Sequence, residues 1–106
     1  MIQPVTKSGL DGLWVLLINN EGELATQDAE GRVPVMARTG TEQTYLLVFK
    51  NVVKARQFVT ASALDGAEPR MVVRANRDDV VRIAKSAGAC GTLLDYDPTK
   101  IGRAHV

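Results

Sequence analysis

The sequence predicts a single α+β domain built on a mixed five-strand sheet with two helices. Apolar runs separated by turn residues fill the first half of the chain, and apolar residues at helical spacing form two stripes in the second half. The length of 106 residues suits one domain. We expect this domain to span residues 1–106, with loosely ordered ends at residues 1–9 and 100–106.

The first half predicts antiparallel strands joined by tight turns. Residues 13–18 (LWVLLI) and 44–49 (TYLLVF) are apolar at nearly every position, which is typical of inner strands covered on both faces. Residues 33–38 (VPVMAR) alternate weakly, and Pro34, which has no N–H, places this strand at an edge or at its own start. Residues 24–27 are a candidate for a short return strand that the pattern leaves undecided.

Two stretches of the second half predict helices. Asn51 is a suitable N-cap for a helix over residues 52–64, whose apolar positions 52, 55, 59 and 63 form a stripe. Asn76 is the expected N-cap of the second helix. The other residues with predicted roles in that helix are Asp78 and Asp79 in the first turn, Val80, Ile83, Ala84 and Ala87 in the buried stripe, and Gly88 beyond the end.

Further short strands are predicted at residues 71–73 and 92–96, so the element order is β-β-β-β-α-β-α-β. The two strand–helix–strand connections should be right-handed and should join parallel strands. We expect both helices to lie mostly on one face of the sheet. Because the inner strands are apolar on both faces, the other face would then need a loop or a second chain as its cover.

Composition and charge exclude several classes of function. Thirteen Lys and Arg residues balance twelve Asp and Glu residues, and the resulting net charge of +1 attracts neither nucleic acid nor an anionic membrane. One cysteine and one histidine exclude internal disulfides and the usual zinc ligand sets. Every uncharged run is too short to span a bilayer. We therefore predict a cytoplasmic protein with no cofactor, no metal and no nucleic-acid or membrane partner.

The reactive side chains do not form a recognisable catalytic set. Cys90 lies in the tetrapeptide GACG between a helix and a strand, and the only histidine lies in the predicted tail, so we expect a partly buried structural cysteine. Asp78 and Asp79 are adjacent and point in different directions on a helix. Asp95 and Asp97 share a strand face but supply too few oxygens for magnesium or calcium. An enzyme is the least favoured class.

One set of residues is a candidate binding site. Ligands of parallel sheets bind at the carboxyl ends of the strands, where helix N-termini also gather. The predicted fold brings cations, capping amides and one tyrosine to this edge, a set that suits a small anion or an acidic peptide. These residues are Lys50, Asn51, Lys54, Arg74, Asn76, Arg77, Tyr96 and Asp97.

Four segments resemble the N-terminal domain of the enhanced serine sensitivity (SseB-like) family of bacterial proteins. They are LWVLLINNEGEL, VPVMA, TYLLVFKNVVKARQFV and AGACGTLLDYDP, between residues 13 and 98. The closing Asp97-Pro98 turn departs from the Asn-Pro-like turn of that family. The resemblance implies a partner-binding domain and no catalytic signature.

The residues and the resemblance lead to two main hypotheses of function. The first is a non-enzymatic protein–protein interaction or regulatory module that docks a partner, or a second copy of itself as a homodimer, through the surface of its sheet. Since Pro34 weakens an edge for pairing, a contact between sheet faces is favoured over strand addition. The alternative is the binding of a small anion or an acidic peptide at the carboxyl edge, and a small enzyme or accessory subunit comes third.

Overall fold

The computed structural model describes residues 2–3, 10–22, 24–38, 43–64 and 66–96. Apart from a two-residue strand at Ile2–Gln3, the ends predicted to be loosely ordered lie outside these residues. In chain order the elements are β1 (Ile2–Gln3), β2 (Trp14–Asn19), β3 (Arg32–Pro34), β4 (Met36–Arg38), β5 (Thr44–Val48), α1 (Val52–Ser62), β6 (Glu68–Met71), α2 (Arg74–Ser86) and β7 (Ala89–Leu94).

The α+β class and the two helices are confirmed, but the strands form two sheets and not the predicted single one. One sheet has the order β1-β7-β5-β4, and the other has the order β3-β2-β6. The sheets meet where Trp14 of β2 and Phe49, directly after β5, exchange two backbone hydrogen bonds of 2.8 Å. Beyond this junction β2 and β5 diverge, because each then pairs with a different strand.

The predicted strand over residues 33–38 is split at Val35 into β3 and β4. β3 runs toward the junction along β2, and β4 runs away from it along β5. The N–H of Val35 donates to the carbonyl of Leu16 at 2.8 Å, while its own carbonyl accepts from the N–H of Leu47 at 3.3 Å. In a regular antiparallel pair, a hydrogen-bonded residue directs its backbone N–H and its C=O to the same neighbouring strand. Residues 32–38 therefore form a bent strand, and Pro34 lies in the edge strand β3, as its missing N–H predicts.

Both predicted crossovers are wrong, because each would join β6 to a parallel strand of the same sheet. β5 and β7 are parallel neighbours, but β6 lies in the other sheet and pairs antiparallel with β2. β6 also begins three residues earlier than predicted. The prediction relied on runs of apolar residues, and Glu68 and Arg70 interrupt such a run in this partly exposed edge strand. Residues 24–27 form no strand; instead the side chain of Asn20 bonds the backbone of Leu24 and the side chain of Gln27 at 2.8–2.9 Å.

The two helices lie on opposite faces of the strand layer, which corrects the expectation that they share one face. Val15 and Leu17 of β2 pack with buried residues of α2, whereas Leu16 between them packs with Ala55 and Phe58 of α1. Successive side chains of a strand point to opposite faces, so this alternation assigns one face to each helix. In the described part of the chain, the inner strands β2 and β5 are therefore covered on one face by α2 and on the other by α1.

Helix α1 begins as predicted and ends two residues earlier, and its buried face agrees with the predicted stripe only in part. The side-chain oxygen of Asn51 accepts the N–H of Lys54 at 3.0 Å, which is an N-cap hydrogen bond. Ala55 and Phe58 are the buried residues, while Ala63 is exposed and ends the helix in the left-handed conformation at φ 51°. Of the predicted stripe at positions 52, 55, 59 and 63, Ala55 is buried and Val59 packs against the same cluster, but the prediction omitted Phe58 and included the exposed Ala63.

Helix α2 begins earlier than predicted. It starts at Arg74 with Val73 as its N-cap residue, so the two aspartates lie beyond the first turn. Asn76 is the third helical residue, and its side-chain oxygen accepts the N–H of Val73 at 2.9 Å. The bond gives the backbone N–H of the N-cap residue a partner within the first turn of the helix. Asn76 therefore stabilises the helix start as the sequence predicts, but from the third helical position and not from the N-cap position.

The apolar face of α2 agrees with the sequence. Val80, Ile83 and Ala84 are buried, and Gly88 has the predicted left-handed conformation at φ +86°. Ala87 is only half-buried because it lies just past the helix, and Val81 is buried in addition to the predicted residues. None of the described helices is long and apolar enough to cross a membrane.

Candidate functional site

The structure brings part of the predicted carboxyl-edge site together. The backbone N–H of Lys50, at the end of β5, donates to a carboxylate oxygen of Asp95, at the end of β7, at 2.8 Å. Lys54 is exposed one turn into α1. Two lysines and the start of a helix therefore lie close to one another, but the Asp95 carboxylate among them opposes an anion.

The remaining residues of the predicted site have structural partners or lie elsewhere. Arg77 donates to both carboxylate oxygens of Asp11 at 2.9–3.0 Å, and the side-chain oxygen of Asn76 accepts the backbone N–H of Val73 at the start of α2. Tyr96 is 6 % exposed, and its ring centroid is 6.1 Å from that of Phe58, so it belongs to the core. Arg74 is exposed. Asp97 lies outside the described residues, and ligand binding at this edge stays a prediction.

Cys90 is exposed, which corrects the expectation of a partly buried residue. Thr44 pairs with Ala89 and Tyr45 pairs with Gly91, so Cys90 is the extra residue of a β-bulge in β7. Burial raises the pKa of Tyr45, and the neighbouring Cys90 side chain raises it further. The phenol donates to the side-chain oxygen of Gln43 at 2.7 Å. In the part of the chain that the structure describes, no group of three His, Cys, Asp or Glu side chains is placed to hold a metal.

A charged network crosses the sheet formed by β3, β2 and β6. Arg32 of β3 donates to carboxylates of Glu68 and Glu30, and Arg70 donates to Glu68 at 2.9 Å. Hydrogen bonds from Arg70 and Arg32 lower the pKa of Glu68 below its ordinary value of 4.5. Burial of Arg32 by itself lowers the pKa of that guanidinium, but its two carboxylate partners outweigh burial and raise it. The network ties the two edge strands of this sheet together.

This network predicts a specific response to acid. A carboxylate with a lowered folded-state pKa stabilises the fold above its unfolded-state pKa, and this contribution is lost as the pH falls through the folded-state value. We expect Glu68→Gln to be less stable than the wild type near neutral pH and to lose less stability below about pH 4.5. Urea unfolding between about pH 6 and pH 3 measures both curves. Parallel curves for the two proteins would contradict the role of Glu68.

The strand bend opens a cleft that the sequence did not predict. The cleft has a volume of about 460 Å³, and every residue from 33 to 38 lines it. Ile18 of β2 and Thr44 at the start of β5 also line it, on the two strands that diverge from the junction. Ser62 and Leu64 line it at the end of α1 and just after it, and Ala87 lines it just after α2. The only local signal in the sequence was Pro34 inside an apolar run.

The walls of this cleft are mostly apolar, and Arg38, Thr44 and Ser62 are the polar residues among the described residues that line it. Arg38 is the one charged residue among the described residues that line the cleft, and its side chain is exposed. No carboxylate in the described part of the chain forms an ion pair with Arg38. The cleft therefore combines an apolar surface with one accessible positive charge at the end of β4.

The fold and the cleft together define a small α+β domain with a helix on each face and an apolar cleft at a bent edge strand. Comparison with protein-family models, curated proteins and solved structures found no match to this chain. The resemblance to the enhanced serine sensitivity family stays a prediction from the sequence, and the assignment of function depends on the geometry of the chain itself.

Proposed function

We propose that this protein is a non-enzymatic module that binds a segment of another protein in the cleft at the strand bend. One observation carries the proposal: the bend at Val35 opens a cleft of about 460 Å³ with apolar walls at the edge of the strand layer. Its volume is within the range of about 300–1,000 Å³ that is typical of ligand sites in proteins. A cleft at an edge admits a chain that enters and leaves, which suits a peptide segment.

The helices that cover the sheet faces favour the cleft as the binding site, in place of the contact between sheet faces that the sequence led us to expect. Leu16, Leu46 and Leu47 of the inner strands have 0 % exposure, and each helix covers one face. Docking on a sheet face would require the removal of a helix, at the cost of its buried apolar area. A homodimer would accordingly form through the cleft or an edge strand.

The partners of the reactive side chains favour binding over catalysis. Asp79 pairs with Arg82 at 2.8 Å, Asp95 accepts a backbone N–H, and Asn76 accepts the backbone N–H of Val73. Each of these polar groups has a structural role that explains its position. We also assign the module to the cytoplasm, in keeping with its single exposed thiol.

Selection from a random-peptide display library tests the proposal. We expect the library to give binders, and we expect Leu64→Lys to weaken the strongest binder at least about tenfold, because a lysine in the apolar wall must bury or displace its charge. Val53→Lys is the matched control, since Val53 is 58 % exposed on α1 and lies outside the cleft. The melting temperature of each variant establishes that it folds.

Two results would contradict this proposed function. One is a failure of the library to give any binder to the folded protein. The other is a binder that loses the same affinity to Leu64→Lys and to Val53→Lys, or to neither, because the cleft would then not be its site.

A further inference from the structure

We propose that the cleft takes an extended peptide that adds a strand to the open edge of β4 and places an acidic side chain against Arg38. This inference rests on the proposed function and identifies the chemistry of the partner. Strand addition uses the backbone groups of a sheet edge for affinity and pockets for alternate side chains for specificity. Both parts are present where β4 borders the cleft.

The first observation is the free edge of β4. In the sheet order β1-β7-β5-β4, this strand is terminal, and in the described part of the chain it pairs only with β5. Backbone groups alternate in direction along a strand, and Val35 accepts from Leu47 of β5, so Met36 and Arg38 present their N–H and C=O groups on the side away from β5. The same residues line the cleft, so a chain bound there lies beside an unpaired edge.

The two edges of the other sheet are less suited to this pairing. β6 contains Pro69, and its charged side chains are tied into the network with Arg32. β3 contains Pro34, whose lack of an N–H is the reason that edge addition was disfavoured from the sequence. The bend separates this proline from β4, which has none. The structure thus removes the objection that the sequence raised.

The second observation is the charge at the cleft. Arg38 is exposed at the end of β4, and the described lining residues include no carboxylate. An arginine forms strong paired hydrogen bonds with a carboxylate, so Asp or Glu is the complementary side chain. Side chains of a bound strand alternate in direction, so the residues next to the acidic one point to the other side of the added strand. The expected ligand alternates apolar and polar residues, with one acidic position.

A charge exchange tests the acidic position. We expect peptides selected on the wild type to share an Asp or Glu that peptides selected on Arg38→Glu replace with Lys or Arg. The wild-type peptide should bind Arg38→Glu at least about tenfold more weakly. Arg56→Glu is the matched control, because Arg56 is an exposed cation on α1 that does not line the cleft. It should leave the affinity unchanged.

Methylation of the peptide backbone tests the strand pairing. In an added strand, alternate peptide N–H groups point toward β4 and the others point away. N-methylation of the first set should weaken binding at least about tenfold, and N-methylation of the second set should not. A peptide that is weakened by Leu64→Lys, yet is insensitive to Arg38→Glu and to every methylation, overturns strand addition and leaves the cleft as the binding site. A peptide insensitive to Leu64→Lys overturns the proposed function itself.

Discussion

Replacement of Phe58 by alanine is expected to lower the free energy of unfolding by about 3–5 kcal/mol. Phe58 is 2 % exposed, and its ring lies 5.5 Å from that of Phe49 and 6.1 Å from that of Tyr96, measured between centroids. Its removal would leave a cavity between α1 and the sheet that the rigid strands beneath it cannot close. Urea unfolding measures the loss.

Gln57→Ala is the matched control for this prediction. Gln57 is the preceding residue of the same helix and is exposed, so its truncation should change the free energy of unfolding by no more than about 0.5 kcal/mol. Similar losses from Phe58→Ala and Gln57→Ala would show that α1 does not pack on the sheet through Phe58.

Replacement of Ile83 by alanine is expected to cost about 2–4 kcal/mol on the opposite face. Ile83 is 2 % exposed on α2, the helix that packs against Val15 and Leu17. The neighbouring Arg82 is exposed and forms an ion pair with Asp79, so Arg82→Ala should change stability by no more than about 0.5 kcal/mol. Equal effects in urea unfolding would overturn the assignment of the buried face of α2.

The two large substitutions together test the layer arrangement. Because the strands separate Phe58 from Ile83, the double variant should lose the sum of the two single losses to within about 0.5 kcal/mol. Because the two losses together are comparable to the whole stability of a small domain, Phe58→Leu and Ile83→Val provide milder changes at the same positions. A strong coupling between the two positions would mean that the helices share one face.

The elements with a strong apolar pattern were predicted well from the sequence. The runs at residues 13–18 and 44–49 are the inner strands β2 and β5, and the stripe of Val80, Ile83 and Ala84 is the buried face of α2. In each case burial follows directly from the spacing of apolar residues. Asn51 was also identified as a cap, because its side chain acts within one helical turn.

The arrangement of the layers could not be predicted in the same way. Apolar positions on both sides of a strand show that both faces are covered, but they do not show what covers them. The helices divide between the faces because β6 pairs with β2 in the second sheet, a long-range choice with no local signal. The bounds predicted for β6 were also wrong, since Glu68 and Arg70 interrupt the apolar pattern of this edge strand.

The candidate binding site in the structure differs from the one predicted at the carboxyl edge. The carboxyl-edge residues were selected by residue type and by position in the chain. In the structure, several of them contact other residues of the chain: Arg77 pairs with Asp11, and Tyr96 packs against Phe58. The cleft instead depends on the divergence of β2 from β5 and on the bend at Val35 between them. These features arise from pairing between distant segments, which spacing along the chain does not encode.

The most direct test of the account is a map of amide chemical-shift changes in the ¹⁵N-labelled protein when the selected peptide binds. We expect the largest changes at Ala37, Arg38 and Thr44, with smaller changes at Ser62 and Leu64 on the wall of the cleft. The exposed face of α1 at Val53 and Arg56 should not respond. Changes centred on Lys50, Lys54 and Arg74, with none over residues 33–38, would contradict the account and favour the carboxyl edge as the binding site.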